Sequence, residues 1–419
     1  GVRNGGADTL TIMETVGFSR ASGLFTGSTD LELSGAVSGQ TIRYAVTDTS
    51  TAGGLAADPD ATSPAYTAAL SITKTVVIKA AVFSADGTRH GRVTSALYLK
   101  LDDRTTDRLD TFSSQLPLLV LDNLGFGPMV KDEIGRPAWL YGFRAKTGVA
   151  TVLRPAADYT SRLEMEVRGA TSSLFPKKSY KFDLVDDDGH DAPLALFGLT
   201  SLEDWNLVGP WSFDQSYIRN SVVYELSRRM RHWAPRTQLV EVFSNLNGDN
   251  LDASDYAGIY VLTDKLEIDP ARINPTKISA GEVDGVGVTG GYLLRADGAD
   301  PEKYYWTTDH GSPEGDGSFL MVEEPKAAKL PQAQRDYIRT YVQQMENALY
   351  ADHESGWATR NYLDYLDRPS WVDYHLINTF VKNTDAFWRS TYFTKDRDGR
   401  IFAVPVWDYD RTMDSTDPR

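Results

Sequence analysis

The chain has 419 residues, 41% hydrophobic and 11% aromatic, enough for two or three domains with proper cores. Its 43 basic and 58 acidic side chains leave a net charge of −15, which argues against bulk nucleic-acid binding. No cysteine is present, so thiol catalysis, thiolate zinc and disulfides are excluded. With six histidines and no H-x-x-x-H pair, any metal should be a hard cation on oxygen ligands.

Residues 1–101 are rich in Thr, Ser, Ala and Gly. Short alternating runs, "LELSGAV", "QTIRYAVTD", "KTVVIKAAVFS" and "SALYLKL", are separated by turn-like stretches and predict an Ig-like β-sandwich. The start "GVRNGG" lacks Met and reads as a processed or cloned piece. Residues 102–115, "DDRTTDRLDTFSSQ", are polar and without period, and read as a linker. From 116 the character turns mixed. Strands are expected at "LPLLVLDN", "SRLEMEVRG", "KKSYKFDLV", "TQLVEVFS", "GIYVLTD" and "GGYLLRAD".

Three helices carry clear signals. The first, "DQSYIRNSVVYELSRRM", predicts an apolar face of Ile218, Val222, Leu226 and Met230, with Asp214 as N-cap. The second, "QAQRDYIRTYVQQMENAL", predicts one of Ile338, Tyr341, Val342, Met345 and Leu349. The third, "RPSWVDYHLINTFVKNTDA", predicts a stripe of Val372, Leu376 and Phe380 and a capping box of Ser370 with Asp373. No run approaches about 18 consecutive apolar residues, so no membrane span is expected.

After the third helix, "STYFTK" and "GRIFAVPV" read as two strands joined by the turn "DRDG". Asp385 precedes this hairpin, while Asp408 and Asp410 follow it. A hairpin returns the chain to its start, so Asp385 and Asp408 should approach each other. Protein kinases use this order: an Asp that accepts the hydroxyl proton, a hairpin, then an Asp that binds Mg²⁺ on the nucleotide phosphates.

The upstream order fits as well. The loop "RGATSS" precedes the lysine-rich "PKKSYKFDL", and a helix bearing Glu225 follows. Strand alternation puts Lys178 with Tyr180, Phe182 and Leu184, and Lys181 on the other face. Lys178 is the first choice for a phosphate contact, Lys181 the second, with Arg168 in support and Glu225 as the pairing acid.

"RGATSSLFPKKSYKF", "LEDWNLVGPWSFDQSYIRNSVVYEL", "YAGIYVLTDKLEID", "GGYLLRADG" and "NTD…STYF…PVWDYD" together resemble the CotH-type family, the spore-coat protein H atypical kinases. The first hundred residues are similar to the chitobiase/β-hexosaminidase C-terminal-like module. The resemblances imply a multi-domain α+β chain. An Ig-like β-sandwich (1–101) and a linker (102–115) would precede an atypical two-lobe kinase-like domain (116–419), its small lobe about 116–268 and its large lobe about 269–419. The stop at Arg419 leaves open whether the large lobe continues.

They further imply a bacterial, extracellular or surface protein kinase that uses ATP with Mg²⁺ or Mn²⁺ on Ser or Thr of partner proteins. The N-terminal module would contact a surface glycan or the cell envelope. Asp385 takes the catalytic place, Asp408 the metal place and Asp410 an accessory one. Ser390 stands where kinases carry a metal-binding Asn, no G-x-G-x-x-G is present, and "WDYD" replaces "DFG". The same groups would also serve adenylylation or glutamylation. The β-sandwich and aromatics admit a non-catalytic coat or carbohydrate-binding scaffold.

Overall fold

The computed structural model describes residues 15–51, 57–104, 109, 111–131, 135–169, 171–311 and 317–415. Residues 105–108 and 110 of the expected linker, and Ala170 of "RGATSS", lie outside them. The chain divides into two compact units, one within 1–209 and 238–262, the other within 210–237 and 263–419.

The first unit opens with eight strands: β1 (Gly17–Phe18), β2 (Gly23–Phe25), β3 (Thr29–Leu31), β4 (Leu33–Ser34), β5 (Gln40–Asp48), β6 (Leu70–Ile72), β7 (Val76–Ser84) and β8 (Arg89–Lys100). They form a sheet of order β2-β8-β7-β5 and two short ladders, β1-β4 and β3-β6. Strand β7 is buried on both faces. Ile78, Ala80 and Val82 pack with Leu31, Ile42 and Tyr98, while Val77 packs with Leu97, Val120, Trp139 and Phe243. Double burial explains why "VVIKAAVF" is nearly continuous in apolar residues rather than alternating.

Seven further strands follow: β9 (Leu118–Asp122), β10 (Arg136–Phe143), β11 (Tyr159–Arg168), β12 (Ser179–Val185), β13 (Asp204–Val208), β14 (Thr237–Asn245) and β15 (Tyr256–Asp264). They close into a barrel, because β9 pairs antiparallel with β10 on one side and parallel with β14 on the other. Tyr180, Phe182 and Leu184 of β12 alternate into its core beside Met165, Trp205, Val240 and Leu262.

The expected class is therefore corrected. The two-lobe kinase-like α+β domain behind an Ig-like sandwich is not what forms. The chain is mostly β, with three α-helices among the described residues and a seven-stranded closed barrel where a kinase-like small lobe was expected.

The second unit holds α1 (Arg219–Arg229), β16 (Tyr292–Asp297), β17 (Tyr304–Trp306), β18 (Phe319–Glu324), α2 (Gln332–Glu354), α3 (Arg368–Phe380), β19 (Thr391–Lys395) and β20 (Ile401–Phe402). Its strands form a sheet of order β17-β18-β16-β19-β20. Helix α2 buries Ile338 and Val342 as its pattern predicts, with Tyr341, Met345 and Leu349 packed against the same cluster. Among the described residues no helix is long and apolar enough to cross a membrane.

The other two helices turn differently. Helix α1 buries Val223, Tyr224 and Ser227 and leaves Ile218 and Val222 exposed. Helix α3 buries Tyr374, Ile377 and Asn378 and exposes Val372, Leu376 and Phe380. The caps differ too. Asp367 caps α3 by accepting from Ser370 N at 3.0 Å, while Asp373 faces His232 at 2.8 Å. Asp214 lies ahead of the N-cap, Ile218, and accepts from Arg219 N at 3.0 Å.

Two barrel-unit carboxyls make stability depend on pH. Asp122 is fully buried at the end of β9 and is pushed up to about 7 by burial, helped by the charge of Asp255. Burial pushes Asp255 up to about 6, and Asp252 and Asp249 add to it. A raised carboxyl favours the fold while protonated, so its contribution is full below about pH 4 and is lost as pH rises through the folded value. The melting temperature is therefore expected to fall between pH 5 and pH 8, read by differential scanning fluorimetry. A flat or rising curve over that window would exclude these assignments.

Candidate active site

The hairpin forms, but it is short. β19 and β20 pair only at Thr394–Phe402 and Lys395–Ile401, so residues 403–409 leave the ladder. Side chains from α1 and α3 hold that stretch instead. Asn220 and Tyr224 stand one turn apart on α1 and face the same way. Asn220 Oδ1 accepts from Tyr409 N at 2.7 Å, and the Tyr224 hydroxyl accepts from Asp408 N at 3.3 Å. The Tyr224 ring stacks on Trp407 with centroids 6.0 Å apart.

Asn378 joins the two acid-bearing segments. Its Oδ1 accepts from the Tyr409 hydroxyl at 3.0 Å and from Asn383 Nδ2 at 2.8 Å. Asn383 Oδ1 in turn accepts from Asp385 N at 3.1 Å. The backbone here is strained, since Phe387, Ser390 and Asp408 have φ of 71°, 47° and 66°. Non-glycine residues hold that region only where their surroundings over-determine it.

The two ends of the hairpin meet through Ser390. Ser390 Oγ donates to Asp408 Oδ2 at 2.9 Å, linking the two ends of the hairpin. Asp385 is paired with Arg411 at 3.3 Å. Asp408 is exposed and Asp410, two residues on, is half-buried. Burial pushes the Asp410 carboxyl well above the usual range, and the charges of Asp408, Asp214 and Asp385 push it the same way, against Arg411.

That frustration fits a divalent cation. The charges of Asp408, Asp214 and Asp385 all act on Asp410, and a hard cation on the Asp408 and Asp410 oxygens would relieve the repulsion. Among the described residues these aspartates form no closed three-ligand cage within 4.8 Å. An open set suits Mg²⁺, which keeps water and takes one or two carboxylates with substrate phosphates. Among the described residues a cage-like group, Asp186, Asp188 and His190, lies in a surface turn where Asp186 Oδ1 already accepts from Asp188 N and His190 N.

The basic candidates Lys178, Lys181 and Arg168 sit on the barrel unit. Lys178 precedes β12, outside the strand's alternation, and donates to Ser173 O at 2.8 Å. Lys181 pairs with Glu166, its register partner on β11, at 2.5 Å. Arg168 ends β11 opposite Ser179. Glu225 lies on α1 in the second unit, held by Arg229 at 2.8 Å and Arg228 at 3.0 Å.

Sequence reasoning passed over Lys177. Its Nζ donates to Ile259 O at 2.5 Å and lies 4.7 Å over the Tyr260 ring. Burial lowers it to about 8. Asn220, Asn378 and Arg411 were missed as well. Each is a single polar residue without a motif, and only the polar interruption "LINTF" of an apolar face pointed at Asn378.

A family model described as CotH kinase protein matches residues 165–418. The chain belongs to this family. The CotH match takes in the end of β11, all of β12, the three described helices and the aspartates 385, 408 and 410. Residues before 165 lie outside it, so the chitobiase-like resemblance of the first hundred residues has no support from this match. A search of curated proteins returns no match to the chain.

Proposed function

We propose that this CotH kinase family protein is an extracellular or surface phosphotransferase. It would move the ATP γ-phosphate to a Ser or Thr hydroxyl of a partner protein with Mg²⁺ or Mn²⁺. The observation that carries the reading is the bond that ties Asp408 to Ser390, five residues after Asp385, with Asp410 beside Asp408 at the same end of the hairpin.

Asp408 and Asp410 would hold the metal, and Ser390 Oγ, already bonded to Asp408, stands where a further oxygen ligand is expected. The bound metal would neutralise charge on the phosphates. Asp385 accepts the proton of the acceptor hydroxyl as that oxygen attacks phosphorus. Asn383 and Asn378 hold the Asp385 segment in place. Tyr224 and Asn220 hold the backbone of Asp408 and Tyr409.

The test is incubation with ATP, Mn²⁺ or Mg²⁺ and a generic acceptor such as casein, followed by intact-mass and peptide mass spectrometry. Addition of one phosphate on Ser or Thr, dependent on the metal, is expected. Addition of AMP or glutamate instead, or no metal-dependent product on any acceptor including the protein itself, would overturn the reading.

A further inference from the structure

Arg411 follows the D-x-D pair directly, yet its side chain turns back to the other end of the hairpin. Nη1 lies 3.3 and 3.5 Å from the two Asp385 carboxylate oxygens. Its guanidinium carbon lies 5.1 Å over the Phe213 ring. The wall behind it is pinned, since Phe213 O accepts from Ser415 Oγ at 2.7 Å and from Arg219. Both partners are sheltered, with side chains 13% and 18% exposed.

Among the described residues, Arg411 is the one cation paired with Asp385. Arg219, the other arginine nearby, is committed to Asp214 at 3.5 Å and to the Phe213 carbonyl. Arginine keeps its charge at every working pH and presents a rigid planar fork, so it is a permanent, directed cation. A kinase catalytic loop carries an Asn five residues after its Asp for a second Mg²⁺, and here Ser390 stands in that place.

We propose that Arg411 is a positioning residue that aims the Asp385 carboxylate and supplies, with its own charge, the cation that a second metal supplies elsewhere. The inference rests on the phosphotransferase reading for its catalytic part and on charge geometry for its metal part. The centre is then built for one divalent ion. The Asp385 carboxylate is held on the acceptor side and is kept from becoming a metal ligand.

Two measurements test this on the full chain. The first uses Mn²⁺ alone, without ATP, titrated by electron paramagnetic resonance and calorimetry into wild type, Arg411→Met and Arg411→Lys. Wild type and Arg411→Lys are expected to bind one ion. Arg411→Met is expected to bind a second ion, or to bind the first about tenfold more tightly, since a competing positive charge has gone. Unchanged stoichiometry and affinity in Arg411→Met would overturn the proposal, whatever its activity. Circular dichroism checks folding; should Arg411→Met not fold, Arg411→Gln takes its place.

The second measurement is transfer kinetics. Arg411→Met should lose about a hundredfold in kcat with the KM for ATP unchanged, and Arg411→Lys should recover part of it. A matched rise in KM, or a lysine variant no better than methionine, counts against a positioning role. If wild type transfers no phosphate at all, the functional reading fails, while the Mn²⁺ titration still judges Arg411.

Discussion

Asp408→Asn is expected to lower phosphate transfer by about a thousandfold while the protein melts within a few degrees of wild type. The loss follows from the metal, whose charge stabilisation is worth several kcal/mol, and each ~1.4 kcal/mol is tenfold in rate. An amide oxygen is a poorer ligand for a hard cation than a carboxylate. Stability should hold because Asp408 is exposed and little burial is lost. Its φ of 66° is left-handed, and Asn tolerates that region as Asp does. Alanine would add strain of about 1–2 kcal/mol there, which is why asparagine is the cleaner change. Ser390 Oγ can still donate to the amide oxygen, and the bond from residue 408 N to Tyr224 is untouched. Initial rates with Mn²⁺–ATP and a thermal melt check both halves. A variant within tenfold of wild type would remove Asp408 from the metal role.

Asp385→Asn should cost a similar factor by another route. Loss of a positioned general base costs ~10²–10⁴ in rate, and the amide cannot accept the hydroxyl proton. Because Asp385 faces Arg411 and its segment hangs from Asn383, the KM for ATP should stay near wild type, and Mn²⁺ affinity should fall only by the loss of a nearby charge. The two variants are thus separable: Asp408→Asn weakens Mn²⁺ binding far more than Asp385→Asn does. If both weaken it equally, Asp385 is a ligand rather than the base.

The strands were legible because period-two alternation is local. "QTIRYAVTD" is β5, and "KKSYKFDLV" contains β12 with its inward Tyr180, Phe182 and Leu184. Closure of the barrel was not legible. It depends on Glu241 to Asn245 of β14 lying beside Leu118 to Asp122 of β9, partners more than a hundred residues apart that no local pattern relates. The faces of α1 and α3 were misread for a physical reason. Hydropathy favoured Val222 and Leu376, but Tyr224 and Asn378 turn inward because the 407–409 backbone and Tyr409 need their hydrogen bonds. The hairpin that brings Ser390 to Asp408 was readable from its two strands and the turn between them. The residues that hold its acid-bearing ends came from other elements and left no spacing to find.

The shortness of that hairpin has a consequence of its own. Had β20 run on to Asp408, the acids would have shared the cooperative melting of the sheet. Pairing stops at Phe402, and beyond it Asn220, Tyr224 and Asn378 supply hydrogen bonds that a ladder would have supplied. Opening the site leaves every strand paired, but it must lift Val406, Trp407 and Tyr409 out of the core they share with Tyr224 and Tyr374. The stability of the centre is thus set by helix packing more than by the sheet beside it. A bound metal would add to that hold.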